Sequence, residues 1–138
     1  MKKSTEDLIN EITAAKNISQ YLDDNGEEFL ETPLHIHLRN LLAETEMSIA
    51  QIAARSAKGD YVHQIFRGIK NPSRDVLLCI ALALGLDLPK TEHLLRIARM
   101  PSLDARNRRD SVIMFAIDHT LSVADTNDIL YRFELECL

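Results

Sequence analysis

Tryptophan is absent from this 138-residue chain, and its only large aromatics are three tyrosines and four phenylalanines; it also has just four glycines, four prolines and two cysteines. So few glycines leave no Gly-rich loop able to cradle a phosphate, and each stands where a turn or helix end is expected. The cysteines, Cys79 and Cys137, lie 58 positions apart. They form neither a metal-ligand nor a redox spacing. Cys79 sits in an apolar stretch and reads as a small core residue. The longest apolar run, Val76 to Leu84, is far too short to span a membrane. No apolar segment follows Lys2-Lys3, so a secretory signal is not expected and the chain reads as cytoplasmic. His35 and His37 are two apart on a helix and point to different faces. His63, His93 and His119 are scattered, so no metal site is expected. No Ser or Cys lies in a nucleophile motif. The expectation is a protein that is not an enzyme and carries no cofactor.

What is present is charge in blocks. The formal net charge is −5, which argues against indiscriminate nucleic-acid binding by the whole surface. Residues 54–74 nevertheless hold Arg55, Lys58, Arg67, Lys70 and Arg74 against Asp60 alone. Residues 96–109 hold Arg96, Arg99, Arg106, Arg108 and Arg109 against Asp104. Both ends are acidic, and Asp23, Asp24, Glu27, Glu28 and Glu31 read as a solvated linker rather than a DNA mimic.

Nearly every segment has helical period, and the fold class is all-α. Ser4 or Thr5 caps a first helix with Leu8, Ile12 and Ala15 on one face. A short turn over Ile18–Asp23 ends at Gly26, expected in the left-handed conformation. Thr32-Pro33 opens a helix whose stripe is Leu34, Leu38, Leu41 and Leu42. Ser48 and Gln51 form a capping box for the next, which turns Ile49, Ile52 and Ala53 inward. Lys58-Gly59-Asp60 makes a tight turn, with Asp60 as the cap of Tyr61–Arg67. Val62, Ile65 and Phe66 are core; His63, Gln64 and Arg67 face out. Gly68 ends that helix. Ser73 caps a helix with Val76, Leu77, Ile80 and Leu84 on its face, ended by Gly85. Further helices follow from Leu88-Pro89, from about Ala105 to His119, and from Ser122 to near Phe133. The expected organisation is an N-terminal extension over 1–31, a central domain over 32–100 and a two-helix extension over 101–138.

At Ile52-Ala53, Val62, Ile65-Phe66, Gly68 and Asn71-Pro72-Ser73, followed by the apolar helix Val76–Leu84, the chain resembles the λ-repressor/Cro (XRE-type) helix-turn-helix family. The resemblance covers roughly residues 34–99. It implies a five-helix λ-repressor-like bundle with extra helices at both ends, whose second short helix enters the major groove. Carried over residue by residue, it makes Lys58, Gly59, Asp60, Tyr61, His63 and Gln64 the candidate groove residues. Arg67, Lys70, Asn71 and Arg74 become candidate phosphate ligands. Gln can bond adenine bidentately, and His and Lys can donate to guanine. The chain departs from the family at Ser56, where Gly is common, and at Ile49, where a phosphate-binding Gln is common.

The function implied is a duplex-DNA-binding transcriptional regulator acting as a homodimer, with Phe115, Ile129, Leu130, Tyr131 and Phe133 as candidate dimer surface. The alternative is a protein-binding module, antitoxin-like or antirepressor-like, that kept the bundle without reading DNA. The block Arg106-Asn107-Arg108-Arg109 opens a helix, where positive charge opposes the dipole. Intramolecular pairing and a second DNA-backbone contact both remain open for it.

Overall fold

The computed structural model describes residues 3–29 and 32–138. Those residues form nine α-helices and no strand, so the protein is all-α. They divide into two units at residue 31. Glu31, part of the acidic run, lies outside the described residues. Among the described residues no helix is long and apolar enough to cross a membrane.

The first unit contains α1 (Thr5–Ala14) and α2 (Ile18–Asp24), each opened by the side-chain cap its sequence supplies, Ser4 and Asn17. Leu8 and Ile12 share a face of α1, yet no residue of that helix is buried. Gly26 begins a short 3-10 turn, Gly26–Glu28, and is not left-handed. The expectation of a left-handed stop fails because Asn25 ends α2, its side chain donating to the Tyr21 carbonyl at 3.1 Å. Asn25 also donates to Glu11 Oε2 at 2.8 Å, while Lys3 Nζ reaches Glu11 Oε1 at 2.6 Å and Asn25 Oδ1 at 2.7 Å. A polar clasp, with Tyr21 edge-on to Phe29, is therefore what ties this small unit together.

The second unit holds α3 (Leu34–Ala43), α4 (Ile49–Arg55), α5 (Asp60–Phe66), α6 (Arg74–Leu84), α7 (Leu88–Ile97), α8 (Arg108–Asp118) and α9 (Val123–Arg132). Its axis is α6, buried from Leu77 to Leu84 because α4, α7, α8 and α9 all pack on it. A helix covered on every side needs no polar face, which is why its sequence is an unbroken apolar run. Ser73 caps it, and Gly85 ends it at φ +69°. The remaining core comes from Leu38, Ile52, Val62, Ile65, Phe66, Leu94 and Leu95. Each such fully buried side chain contributes roughly 1.5–3 kcal/mol.

The division expected at residue 100 is not present. Leu103, Ile113, Ala116, Ile117 and Val123 belong to the same core as Leu77 and Leu94, so residues 32–138 are one unit. Cys79 is buried in that core, and burial pushes its thiol pKa up.

Candidate nucleic-acid interface

The α4–α5 pair is built by short-range rules. Ser48 Oγ accepts from the Gln51 amide at 3.2 Å and Gln51 Oε1 accepts from the Ser48 amide at 2.8 Å, completing the capping box. Ile52 and Ala53 turn inward. Ser56 is fully buried and donates to the Ala53 carbonyl at 3.1 Å. A satisfied hydroxyl is tolerated inside a turn.

The reversal falls at Ala57, with φ +61°, and at Gly59, with φ +58° and ψ −136°. Side chains are essentially excluded from the backbone region Gly59 occupies. The chain must bend there, so Gly59 is the N-cap and Asp60 the first residue of α5. This corrects the assignment of Asp60 as cap and starts the helix one residue earlier. Asp60 stays exposed in the first turn, where its charge complements the helix dipole. The helix also ends at Phe66, with Arg67 as its C-cap.

Three contacts fix the far end of α5. Gly68 (φ +77°) lies against the His35 ring so closely that a Cβ there would sit 2.9 Å from Nδ1. Arg39 Nε donates to the Phe66 carbonyl at 2.8 Å. Tyr61 donates its hydroxyl proton to the Asn71 carbonyl at 2.9 Å, tying α5 to the loop after it. Pro72 is buried and anchors that loop. His35 and Arg39, both on α3, are supports that sequence reading missed.

On this frame Gln64, Arg67, Lys70 and Asn71 are exposed, while Lys58, Tyr61 and His63 are half-buried. Lys58, Arg67 and Lys70 have no ion pair among the described residues. Tyr61 is partly committed, since its proton goes to Asn71.

Arg74 does not join them. Its Nη1 and Nη2 donate to Asp110 Oδ1 and Oδ2 at 3.0 and 2.9 Å, its Nε to the Pro101 carbonyl and Nη2 to the Ser102 carbonyl, both at 3.1 Å. Its assignment as a phosphate ligand is corrected: the guanidinium is used up neutralising the carboxylate of Asp110, a residue only 7% exposed. Arg109 makes the reciprocal pair, with Nη1 and Nη2 both 2.9 Å from the Asp75 oxygens. Arg74-Asp75 opens α6 and Arg109-Asp110 lies in the first turn of α8, and each helix gives its arginine to the other's aspartate. That repeated dipeptide was visible in the sequence; its meaning depended on which helix ends meet.

Among the other histidines, the His37 and His93 rings meet edge to face at 5.1 Å between α3 and α7, a pairing that spacing alone could not show. No group of three or more His, Cys, Asp or Glu among the described residues could hold a metal ion. Leu130, expected on a dimer surface, is fully buried, whereas Phe115, Tyr131 and Phe133 are exposed.

Comparison with protein-family models, with curated proteins and with solved structures finds no match for this chain.

Proposed function

We propose that the protein is a sequence-specific duplex-DNA-binding transcriptional regulator of helix-turn-helix type, cytoplasmic, homodimeric and working without a cofactor. In this reading α3–α7 are the five helices of a λ-repressor-like bundle, α4 crosses the DNA backbone and α5 enters the major groove. Gln64 and His63 read base edges with Lys58, Asp60 and Tyr61 at the helix start, while Arg67, Lys70 and Asn71 grip phosphates.

One observation carries the reading. Gln64, Arg67 and Lys70 are exposed with no ion pair or side-chain hydrogen bond among the described residues, on a helix and loop pinned by Tyr61–Asn71 and Arg39–Phe66. A preorganised surface of unneutralised cations beside a glutamine suits a phosphate-flanked groove. Exposed Phe115, Tyr131 and Phe133 support the dimer.

A second reading, a protein-binding module, is favoured by Gly59 and Asp60 at the end of α5 that would approach bases. Glycine offers no reading group, and an exposed carboxylate repels phosphate. Selection from randomised duplexes separates the two. The DNA reading expects an enriched site at which Gln64→Ala loses about 1–3 kcal/mol of discrimination at one base pair. Failure to enrich any site, with binding confined to a protein partner, would establish the second reading instead.

A further inference from the structure

We infer that residues 101–108, which lead from the loop after α7 into the first residue of α8, form a second DNA-backbone contact, with Arg106 and Arg108 as its phosphate ligands. The inference rests on the DNA-binding reading of α5 and widens its footprint. The two basic blocks lie far apart in sequence, and the structure brings them together through Arg74. This residue closes the loop that carries Lys70 and Asn71, and its guanidinium takes the carbonyls of Pro101 and Ser102 and the carboxylate of Asp110. Lys70 is four residues from Arg74, and Arg106 four from Ser102. Each reach is at most about 14 Å of extended chain. The first turn of α8 therefore lies against Arg74, the residue that closes the loop after α5.

The charges there sort cleanly. Arg109 is spent on Asp75 and on the carbonyls of Glu136 and Cys137. Asp110 is spent on Arg74 and the Asp104 amide, and Asp104 Oδ1 accepts from the Arg106 amide. Arg106 and Arg108 are exposed, and neither side chain has an ion pair or hydrogen bond among the described residues. They flank Asn107, the N-cap of α8, where cations oppose the helix dipole. Two unpaired guanidiniums at the wrong end of a helix weaken the fold and gain nothing from it. An anion outside the protein resolves the conflict. A polyanion already gripped by Arg67 and Lys70, on the helix end and loop that Arg74 joins to this segment, is the occupant that charge complementarity and continuity select.

The test compares R106Q/R108Q with R67Q/K70Q and the parent, using a labelled random duplex of about 20 base pairs titrated at about 50 and 200 mM salt. Circular dichroism melting and sedimentation are measured on the same samples. R106Q/R108Q is expected to melt no lower than the parent, yet bind more weakly and flatten the log–log salt slope by about 1.8, roughly 0.9 per lost phosphate contact. The effect should add to that of R67Q/K70Q. Unchanged binding in R106Q/R108Q while R67Q/K70Q weakens would overturn this inference and leave the α5 reading standing. A changed oligomeric state with an unchanged slope would assign the two arginines to a protein contact, overturning it as well. No binding by the parent, or no effect of R67Q/K70Q, removes the α5 reading and this inference together.

Discussion

Arg74, the first residue of α6, grips both oxygens of Asp110, in the first turn of α8, at 3.0 and 2.9 Å. Burial alone would raise the Asp110 carboxyl. Hydrogen bonds from Arg74 and the Asp104 amide, with the charges of Arg74 and Arg109, outweigh it and hold the group below its ordinary value of 3.8. Arg74→Ala should therefore act on stability, costing about 3 kcal/mol in urea unfolding, because it leaves a nearly buried carboxylate unpaired. The stabilisation is fully present above pH 3.8 and declines as pH falls through the lower folded value. A stable Arg74→Ala protein with a flattened DNA salt slope would return Arg74 to the phosphate ligands.

Gly68 is required twice over, by its φ of +77° and by the His35 ring against it. Gly68→Ala should cost about 1–2 kcal/mol for the left-handed backbone, with more for the clash. Adding His35→Ala should recover the clash portion only. Equal stability of the single and double variants would mean that the ring yields freely.

Tyr61→Phe removes one hydrogen bond, to the Asn71 carbonyl. A loss of about 0.5–1.5 kcal/mol is expected. Because the bond positions the loop bearing Lys70, while the Tyr61 ring that would meet a base is kept, DNA affinity should fall on every duplex, without a change in sequence preference. An altered preference would show that the hydroxyl contacts a base.

The His37–His93 pair gives the second unit an acid sensitivity in another pH range. Burial, and then the neighbouring His93, lowers His37 from 6.5, with Glu44 partly opposing; burial is also the main cause lowering His93. His37 Nε2 is buried without a partner. The unfolded chain then binds more protons as pH falls through 6.5, so stability drops from there and levels below the folded values. Unfolding measured between pH 7 and 5 should decline less in H37Q/H93Q than in the parent. Parallel curves would show that the pair does not sense pH.

Much of the second unit was legible because its signals are local. The Ser48–Gln51 box, the Ser73 cap and the Gly85 stop are set by neighbours within four residues, and all three appear as expected. Val62, Ile65 and Phe66 follow helical spacing into the core. What escaped reading was non-local. Arg74 finds its partner 36 residues away, and its charge alone could not distinguish a phosphate from Asp110. The joining of α8 to the central core depends on packing against α6 and α7, which no window of sequence contains. The Asp60 cap failed differently: the residue type was suitable, but the backbone that only Gly59 can adopt moved the helix start.

The central claim is that the α5 surface grips a phosphate backbone. Its most direct test is titration of the parent protein with random duplex DNA across salt concentrations. The account predicts saturable binding whose logarithm falls linearly with log salt, steepened by about 0.9 for each phosphate neutralised. Binding indifferent to salt, or none at the lowest salt, would contradict it.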